Sequence, residues 1–359
     1  MNTKEDFGND KRSAFSAKTE AQKIAFGPVM FQAARALRKL GILQLVSEKG
    51  AEGASSVEVA HTLGMTDYGV SVLLDAGLSM GIVMMRNGKY ILTKTGYFLL
   101  SDPMTRVNMD FIHDVCYRSF FSLEESIRSG KPEGLKVFGE WETIYPGLQF
   151  LPEQAKKSWF AFDHFYSDLA FPEIIPEIAR GNHKKLMDVG GNTGRFAIQC
   201  VANIPGLHVT IVDLPDTLKA AEKNIRSHGL QESVDFYQAD MLNQQDEFPP
   251  GYDAIWMSQF LDCFSGEQIL SILERAVKVL TPEGTLYILE LFWDRQKYEA
   301  SSYSLNATSL YFTCLANGNS RMYHSSDFVR LIESSGLTID ESIDHIGVSH
   351  TLIKCKRKL

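Results

Sequence analysis

Near the middle of the chain, Asp188-Val189-Gly190-Gly191-Asn192-Thr193-Gly194 sets an acid just ahead of a glycine-rich turn. An apolar, strand-like run from Lys185 to Val189 leads into it, and a helical pattern follows from about Arg195 to Ala202. Glycines at a strand-to-helix turn let the backbone approach a ligand closely. The next β-rich run, Val209 to Val212, ends on Asp213, 25 residues after Asp188. An acid at that strand end accepts hydrogen bonds from two ribose hydroxyls. The two features together predict a nucleoside-containing ligand. The G-x-G-x-x-G spacing that cradles a pyrophosphate is absent. Asp188 would also repel a pyrophosphate, whereas it suits an ammonium group. Charge sign therefore favours S-adenosylmethionine over NAD.

The elements that must position these residues read as two blocks. After about residue 180, short β-rich runs alternate with amphipathic helical patterns, which predicts a parallel sheet with crossover helices. Val234 to Ala239, Tyr252 to Ser258 and Thr285 to Leu291 are the later strands, with a helix from Glu267 to Leu280. Leu337 to Ile346 and Thr351 to Lys354 fit a closing antiparallel hairpin, and the basic run Lys354 to Lys358 is expected to face solvent. Before residue 180 the apolar spacing is mostly helical. Ala21 to Lys49 reads as one or two helices, Ser55 caps another through Leu63, and Thr66 caps a third to about Met80. A hairpin follows, Ile82 to Met85 and Tyr90 to Thr93, with Asn87-Gly88 at its tip. Helix, turn, helix, hairpin is a winged-helix order. Its second helix, from Thr66 to Asp75, carries two acids and no Lys or Arg, so phosphate contacts are not expected of it. A packing or dimerisation role is. Ser101 to Arg180 is rich in aromatics, among them Trp141 and Phe160, suited both to core and to the wall of a flat apolar pocket.

Composition narrows the classes. Of 359 residues 44% are hydrophobic and 22% charged, a globular balance with length for more than one domain. The net charge of −8 argues against nucleic acid as main partner. No apolar run is long enough to span a membrane, and Met1 to Glu20 has no apolar core of a secretory signal. The five cysteines, Cys116, Cys200, Cys263, Cys314 and Cys355, are odd in number, far apart and without a C-x-x-C pair. They predict reduced thiols in a cytoplasmic protein and no metal site.

The run Asp188 to Gly194, then Asp213-Leu214-Pro215, Asp240-Met241 and Pro282-Glu-Gly-Thr-Leu-Tyr-Ile-Leu-Glu290 resembles the successive motifs of class I S-adenosylmethionine-dependent methyltransferases. More narrowly it is similar to the small-molecule O-methyltransferases of the plant phenolic, acetylserotonin and bacterial polyketide type. The resemblance covers nearly the whole chain after residue 20. It implies a doubly wound, seven-stranded, mostly parallel α/β sheet behind a mainly helical winged-helix dimerisation domain. The expected layout is a winged-helix domain at residues 1–100, a helical connector at 101–180 that contributes to the substrate pocket, and a cofactor-binding domain at 181–359. It implies that Asp188, Gly190, Gly191 and Gly194 hold the methionine part of S-adenosylmethionine, Asp213 with Leu214 the ribose, and Asp240 with Met241 the adenine. Ser258 and Phe264 complete that set, and S-adenosylhomocysteine is the product. Trp141, Phe160, His164 and Gln259 are expected to meet a small, hydroxylated, aromatic acceptor, with the enzyme a homodimer through its first domain. Asn192 stands where the family commonly has glycine, and Asn tolerates left-handed backbone.

One segment departs from the family. The general-base histidine falls on Asp262, in Gln259-Phe260-Leu261-Asp262-Cys263-Phe264, and its acidic supporter falls near Ser320-Arg321-Met322. Taking a proton from a phenol (pKa about 10) costs roughly 5 kcal/mol with histidine and roughly 8 with an unshifted aspartate. Asp262 is thus expected to act as a base shifted by burial or to orient the acceptor. His164, which also reads as a core histidine, and His324, in Arg321-Met322-Tyr323-His324, are the other candidate bases. Asp163 beside His164 points to another helix face and is not expected to pair with it. The change at Asp262 also admits a family member with lost or altered transfer chemistry. A winged-helix regulator sensing a metabolite and a nicotinamide dehydrogenase are disfavoured by the acidic helix and the glycine spacing.

Overall fold

The computed structural model describes residues 10–358 of the chain. Residues 1–9, on which part of the expectation about a secretory signal rests, lie outside them. The chain divides into two compact units, up to His113 and from Asp114 onward.

The first unit carries helices α1 (Ala14–Ala25), α2 (Gly27–Lys39), α3 (Ile42–Glu48), α4 (Ser56–Leu63) and α5 (Asp67–Ser79). The hairpin β1 (Val83–Arg86) and β2 (Lys89–Leu92) follows, then α6 (Lys94–Ser101) and α7 (Pro103–Phe111). The stretch predicted as one or two helices is broken at Phe26 and at Gly41, whose φ of 80° cannot continue a helix. Ser55 and Glu58 form a reciprocal capping box at the start of α4, and the Thr66 hydroxyl caps α5. Leu37, Ile42, Leu43, Val59, Val70 and Leu74 are fully buried together and make this unit's core.

The second unit begins with α8 (Leu123–Ser129), α9 (Glu153–Asp168) and α10 (Phe171–Arg180). There follow β3 (Lys185–Val189), α11 (Arg195–Asn203), β4 (His208–Asp213), α12 (Pro215–Ser227), β5 (Val234–Gln238) and β6 (Tyr252–Ser258). The chain closes with α13 (Gly266–Val279), β7 (Leu280–Glu290), α14 (Glu299–Tyr311), α15 (Ser325–Ser334), β8 (Leu337–Ile346) and β9 (His350–Arg357). Among the described residues seven strands form one sheet in the order β5-β4-β3-β6-β7-β9-β8. The first five strands are parallel, and β9 runs antiparallel between β7 and β8. β7 starts earlier than its apolar run because Leu280 pairs with Tyr252 ahead of an irregularity.

Both sheet faces are covered, and the strands alternate between them. Leu186, Ala254 and Trp256 pack under α10, α11 and α12, while Met187, Val189, Ile255 and Met257 pack under α13 and α15. The Trp256 and Phe196 rings stack 4.3 Å apart at the centre of the first layer. The basic run at the end does not simply face solvent: Lys354 Nζ meets Glu177 at 2.6 Å and Glu341 at 2.7 Å. An isolated ammonium would not lie against the sheet, and the two carboxylates make it tolerable there. No helix among the described residues is long and apolar enough to cross a membrane.

Strand order reverses after β3, since the chain runs outward to β4 and β5 and returns on the other side as β6. Ligands of open α/β sheets bind at the carboxyl ends of strands beside such a reversal. Asp188, Asp213, Ser258 and Glu290 all stand at that edge.

Candidate active site

At the end of β3 the chain turns left-handed, with φ of 72° at Gly190 and 50° at Asn192. The Gly190 amide donates to Val212 O at 2.8 Å and so ties the turn to β4. A Cβ on Gly190 would lie 2.3 Å from the Phe260 ring, so glycine is required there for space as well as for φ. Asn192 does what a glycine would do in backbone terms and adds a side-chain amide.

Asp188 is 2% exposed, and its Oδ2 has no hydrogen-bond partner among the described residues. Burial, and then the charge of Asp213, push its carboxyl up to about 8. Asp213 accepts from Asn192 N at 2.9 Å and from Leu214 N at 2.7 Å. Burial outweighs these donors and leaves its carboxyl at about 6. A buried carboxyl without a donor is costly. The missing partner is a cation or a strong donor, and the α-ammonium and ribose hydroxyls of S-adenosylmethionine are of that kind. The residues present fit that group. Farther along the edge, Met241 packs in the core beside Val212 and Phe248, and Asp240, exposed, accepts from Leu242 N. The Ser258 hydroxyl is buried without a partner, and Phe264 meets the Phe260 ring edge-on at 4.9 Å.

The second cluster gathers around the short turn Leu261–Cys263 after β6. Its backbone is pinned from three directions. Glu290 Oε1 accepts from Phe260 N at 3.1 Å and Leu261 N at 2.8 Å, Asn317 Nδ2 donates to Cys263 O at 2.6 Å, and Tyr323 Oη donates to Phe264 O at 2.6 Å. Asp262, at its centre, is 5% exposed, and among the described residues the one side-chain donor to its carboxylate is the Cys263 thiol at 3.5 Å. Burial pushes its carboxyl up to about 6. Glu290, 1% exposed, lies well above its ordinary range through burial and the nearby Asp262, and its Oε2 has no partner.

From α9, Asp163 joins these acids. Its Oδ2 accepts from Asn192 Nδ2 at 3.1 Å. Burial, then Asp262 and Asp168, push it up to about 7. One turn earlier Trp159 Nε1 donates to Tyr311 Oη at 2.7 Å. Burial raises the phenols of Tyr311 and Tyr145 well above their usual value, and the Cys263 thiol adds to the effect on both. The arrangement offers buried carboxyls of raised proton affinity beside aromatic rings, a setting for taking a proton from a weakly acidic hydroxyl.

Not every residue singled out from the sequence comes to this cluster. His164 stacks on Phe160 at 5.8 Å, and burial and then Arg195 hold its ring below the usual histidine range. The charges acting on it are Arg195 and Asp168, whereas Asp163 is the one that acts with Asp262. Asp163 Oδ2 does approach His164 Nδ1, to 3.7 Å. The side chains of these helix neighbours bend toward each other more than backbone spacing implies, yet stay beyond hydrogen-bond reach. Phe160 also meets Trp159 edge-on at 5.0 Å. Trp141 packs in its own loop, stacked on Phe150 at 6.4 Å with Gly139 and Gly147 close against its ring. Gln259, with φ of 46°, holds the buried His350 ring through Oε1 at 3.1 Å. Asp163, Glu290, Asn317 and Tyr311 were not singled out as site residues. The asparagine at a customary glycine was the one signal pointing to Asp163.

Comparison with known proteins gives two matches to protein families. Residues 120–338 match the O-methyltransferase domain and residues 18–90 a Dimerisation2-like domain. The chain is 28% identical over 270 residues to the L-tyrosine C(3)-methyltransferase of Streptomyces lavendulae, across 74% of this chain and 72% of that protein. It is 24% identical over 286 residues to the 3-hydroxy-5-methyl-1-naphthoate 3-O-methyltransferase of Streptomyces sahachiroi, across 79% of each. Among solved structures, the apo form of the S-adenosylmethionine-dependent methyltransferase SibL superposes with a TM-score of 0.72 at 25% identity, covering 94% of this chain and 98% of that one.

Proposed function

The chain belongs to the O-methyltransferase domain family, with a dimerisation-type domain ahead of it, and from that premise we propose how its residues divide the work. The enzyme is an S-adenosylmethionine-dependent O-methyltransferase acting on a small aromatic molecule. The observation that carries the assignment of roles is the buried, unpartnered Asp188 carboxyl behind the glycine turn. It takes the ammonium of the cofactor, and Asp213, with Leu214 beside it, takes the ribose. Asp240 and Met241 face the adenine. When bound, S-adenosylmethionine supplies a methyl group on a positively charged sulfur, open to in-line attack.

The acceptor hydroxyl must lose a proton as it attacks, and Asp262 receives it. With its carboxyl at about 6, the gap to a phenol near 10 is about 5 kcal/mol, within about 1 kcal/mol of that for an ordinary histidine. Burial thus restores what the change of residue removes. Glu290 and Asn317 hold the turn that carries Asp262, and the rings of Trp159 and Tyr311 enclose the acceptor and exclude water. A second reading, transfer to a ring carbon beside the hydroxyl, is favoured by the likeness to an L-tyrosine C(3)-methyltransferase. It makes the same demand on Asp262, since an ionised hydroxyl activates the ring.

A homodimer is supported by the first unit's surface. No residue of α1 is buried, and Phe15 and Ile24 are 84% and 78% exposed, with Phe26 and Val29 nearby. Such a patch calls for a partner, and a second copy supplies one. The five cysteines are free, in keeping with a cytoplasmic enzyme. The test is incubation of the purified protein with methyl-labelled S-adenosylmethionine and a panel of hydroxylated aromatics, followed by mass spectrometry. Labelled product with release of S-adenosylhomocysteine is expected, and its fragmentation separates oxygen from carbon transfer. Thermal stabilisation by NAD but not by S-adenosylhomocysteine would overturn the assignment of the turn.

A further inference from the structure

We propose that Asp163 is the residue that selects the acceptor: its carboxylate takes an ammonium group, so the acceptor class is hydroxyaromatic amines rather than neutral phenols. This rests on the methyltransferase reading above and deepens it.

Asp163 lies one helical turn after Trp159 on α9 and so shares its face. That face meets Tyr311 through the Trp159 hydrogen bond and meets the glycine turn through Asn192. Asn192 occupies one oxygen of Asp163, Oδ2 at 3.1 Å. The other, Oδ1, receives no hydrogen bond from any described residue, and the side chain keeps 28% of its surface open. It is anchored on one side and available on the other.

The charges around it are mostly negative. Asp262 and Asp168 act on Asp163 as like charges, and Arg195, which also acts on it, is bound to Asp168. The His164 ring 3.7 Å away is held below the usual histidine range and so is neutral at pH 8. Asp262, 5% exposed, has a thiol as its one side-chain donor, and the Oε2 of Glu290 beneath the same turn has no partner. This last orphan is independent of Asp163 and marks unmet hydrogen-bonding capacity beneath the same turn. S-adenosylmethionine brings one net positive charge, and Asp188 and Asp213 at the glycine turn already answer its cationic groups. A neutral phenol entering beside Asp163 and Asp262 would leave these carboxyls facing one another in a low-dielectric space. An ammonium there pairs with Oδ1, and the hydroxyl at the other end of the acceptor reaches Asp262. One carboxylate orients while the other takes the proton.

The experiment uses the full-length protein saturated with S-adenosylhomocysteine, whose own binding is first confirmed by thermal shift. Calorimetry at pH 8 then compares tyramine, dopamine and tyrosine with their N-acetyl counterparts. At least one amine is expected to bind about tenfold or more tighter than its N-acetyl partner, the scale of a hydrogen bond to a charged group. Asp163→Asn should remove that preference while leaving the N-acetyl compound's affinity in place, and Asp163→Glu should restore part of it. Equal affinities in every pair, binding by neither member of any pair, or a preference that survives Asp163→Asn overturns the proposal. If S-adenosylhomocysteine itself does not bind, the methyltransferase reading fails instead, so the two failures are told apart.

Discussion

Two clusters of buried carboxyls share one edge of the sheet, and they are built in different ways. The cluster proposed to bind the cofactor, Asp188 and Asp213, comes from two adjacent strands joined by one crossover, with the glycine turn closing onto β4 through Gly190 N. The cluster proposed to meet the acceptor draws Asp163 from α9, Asp262 from the turn after β6, Glu290 from the end of β7 and its anchor Asn317 from the loop after α14. The first is a local device of backbone, φ and two acids. The second exists because distant segments are packed together. The cofactor cluster should therefore tolerate changes in the helices, whereas the acceptor cluster should respond to any segment that holds it.

The largest expected effect separates the clusters directly. Asp262→Asn should lower kcat by about 10²–10⁴, the usual contribution of a positioned proton acceptor, with S-adenosylhomocysteine affinity unchanged in calorimetry. A parallel loss of that affinity would mean that the two clusters act as one.

The next effect is a pH dependence of the cofactor cluster. Its carboxyl at about 8 must ionise to meet an ammonium, so a proton competes with the ligand below that value. S-adenosylhomocysteine affinity should therefore fall by about tenfold per pH unit from pH 8 toward 6. Stability of the ligand-free protein has the opposite sign. A carboxyl raised in the folded state binds more protons there than in the unfolded chain, so stability is greatest below about 4 for this group and is lost as pH rises through about 8. Melting temperatures at pH 6 and 8, with and without ligand, check both signs, and a ligand shift larger at pH 6 would remove Asp188 from the ammonium's role.

Gly190→Ala should destabilise the protein by about 1–3 kcal/mol, because a side chain at φ of 72° is strained and its Cβ meets the Phe260 ring. Ligand binding should be lost with it. An unchanged melting curve would show that the turn relaxes freely. The smallest effect is at Asn317→Ala, which releases Cys263 O from the loop and should lower stability by about 1 kcal/mol. Here kcat should fall several-fold while cofactor affinity stays, and a fall in both would blur the distinction.

Much of the fold could be read from local pattern. The Ser55-Glu58 capping box, the Asn87-Gly88 tip and the apolar runs at Lys185 to Val189 and Tyr252 to Ser258 each carry their structure in a few neighbouring residues. The placement of Asp188 and Asp213 at the ends of adjacent strands beside the glycine turn was legible for the same reason. The breaks within residues 14–48 and the early start of β7 were not, because a positive φ at Gly41 and a pairing with Tyr252 leave little trace in hydropathy.

The sequence by itself determined the alternation of strands and helices, the glycine turn and the two acids placed beside it, because backbone conformation and side-chain periodicity act over a few residues. It also exposed the aspartate at the customary histidine. Only the tertiary structure decided what that aspartate is worth. Burial in a turn pinned by Glu290, Asn317 and Tyr323 raises its proton affinity, and solvation is a property of everything packed around a group. The same holds for Asp163, whose meeting with Asn192 spans 29 residues and two elements and so appears in no local pattern.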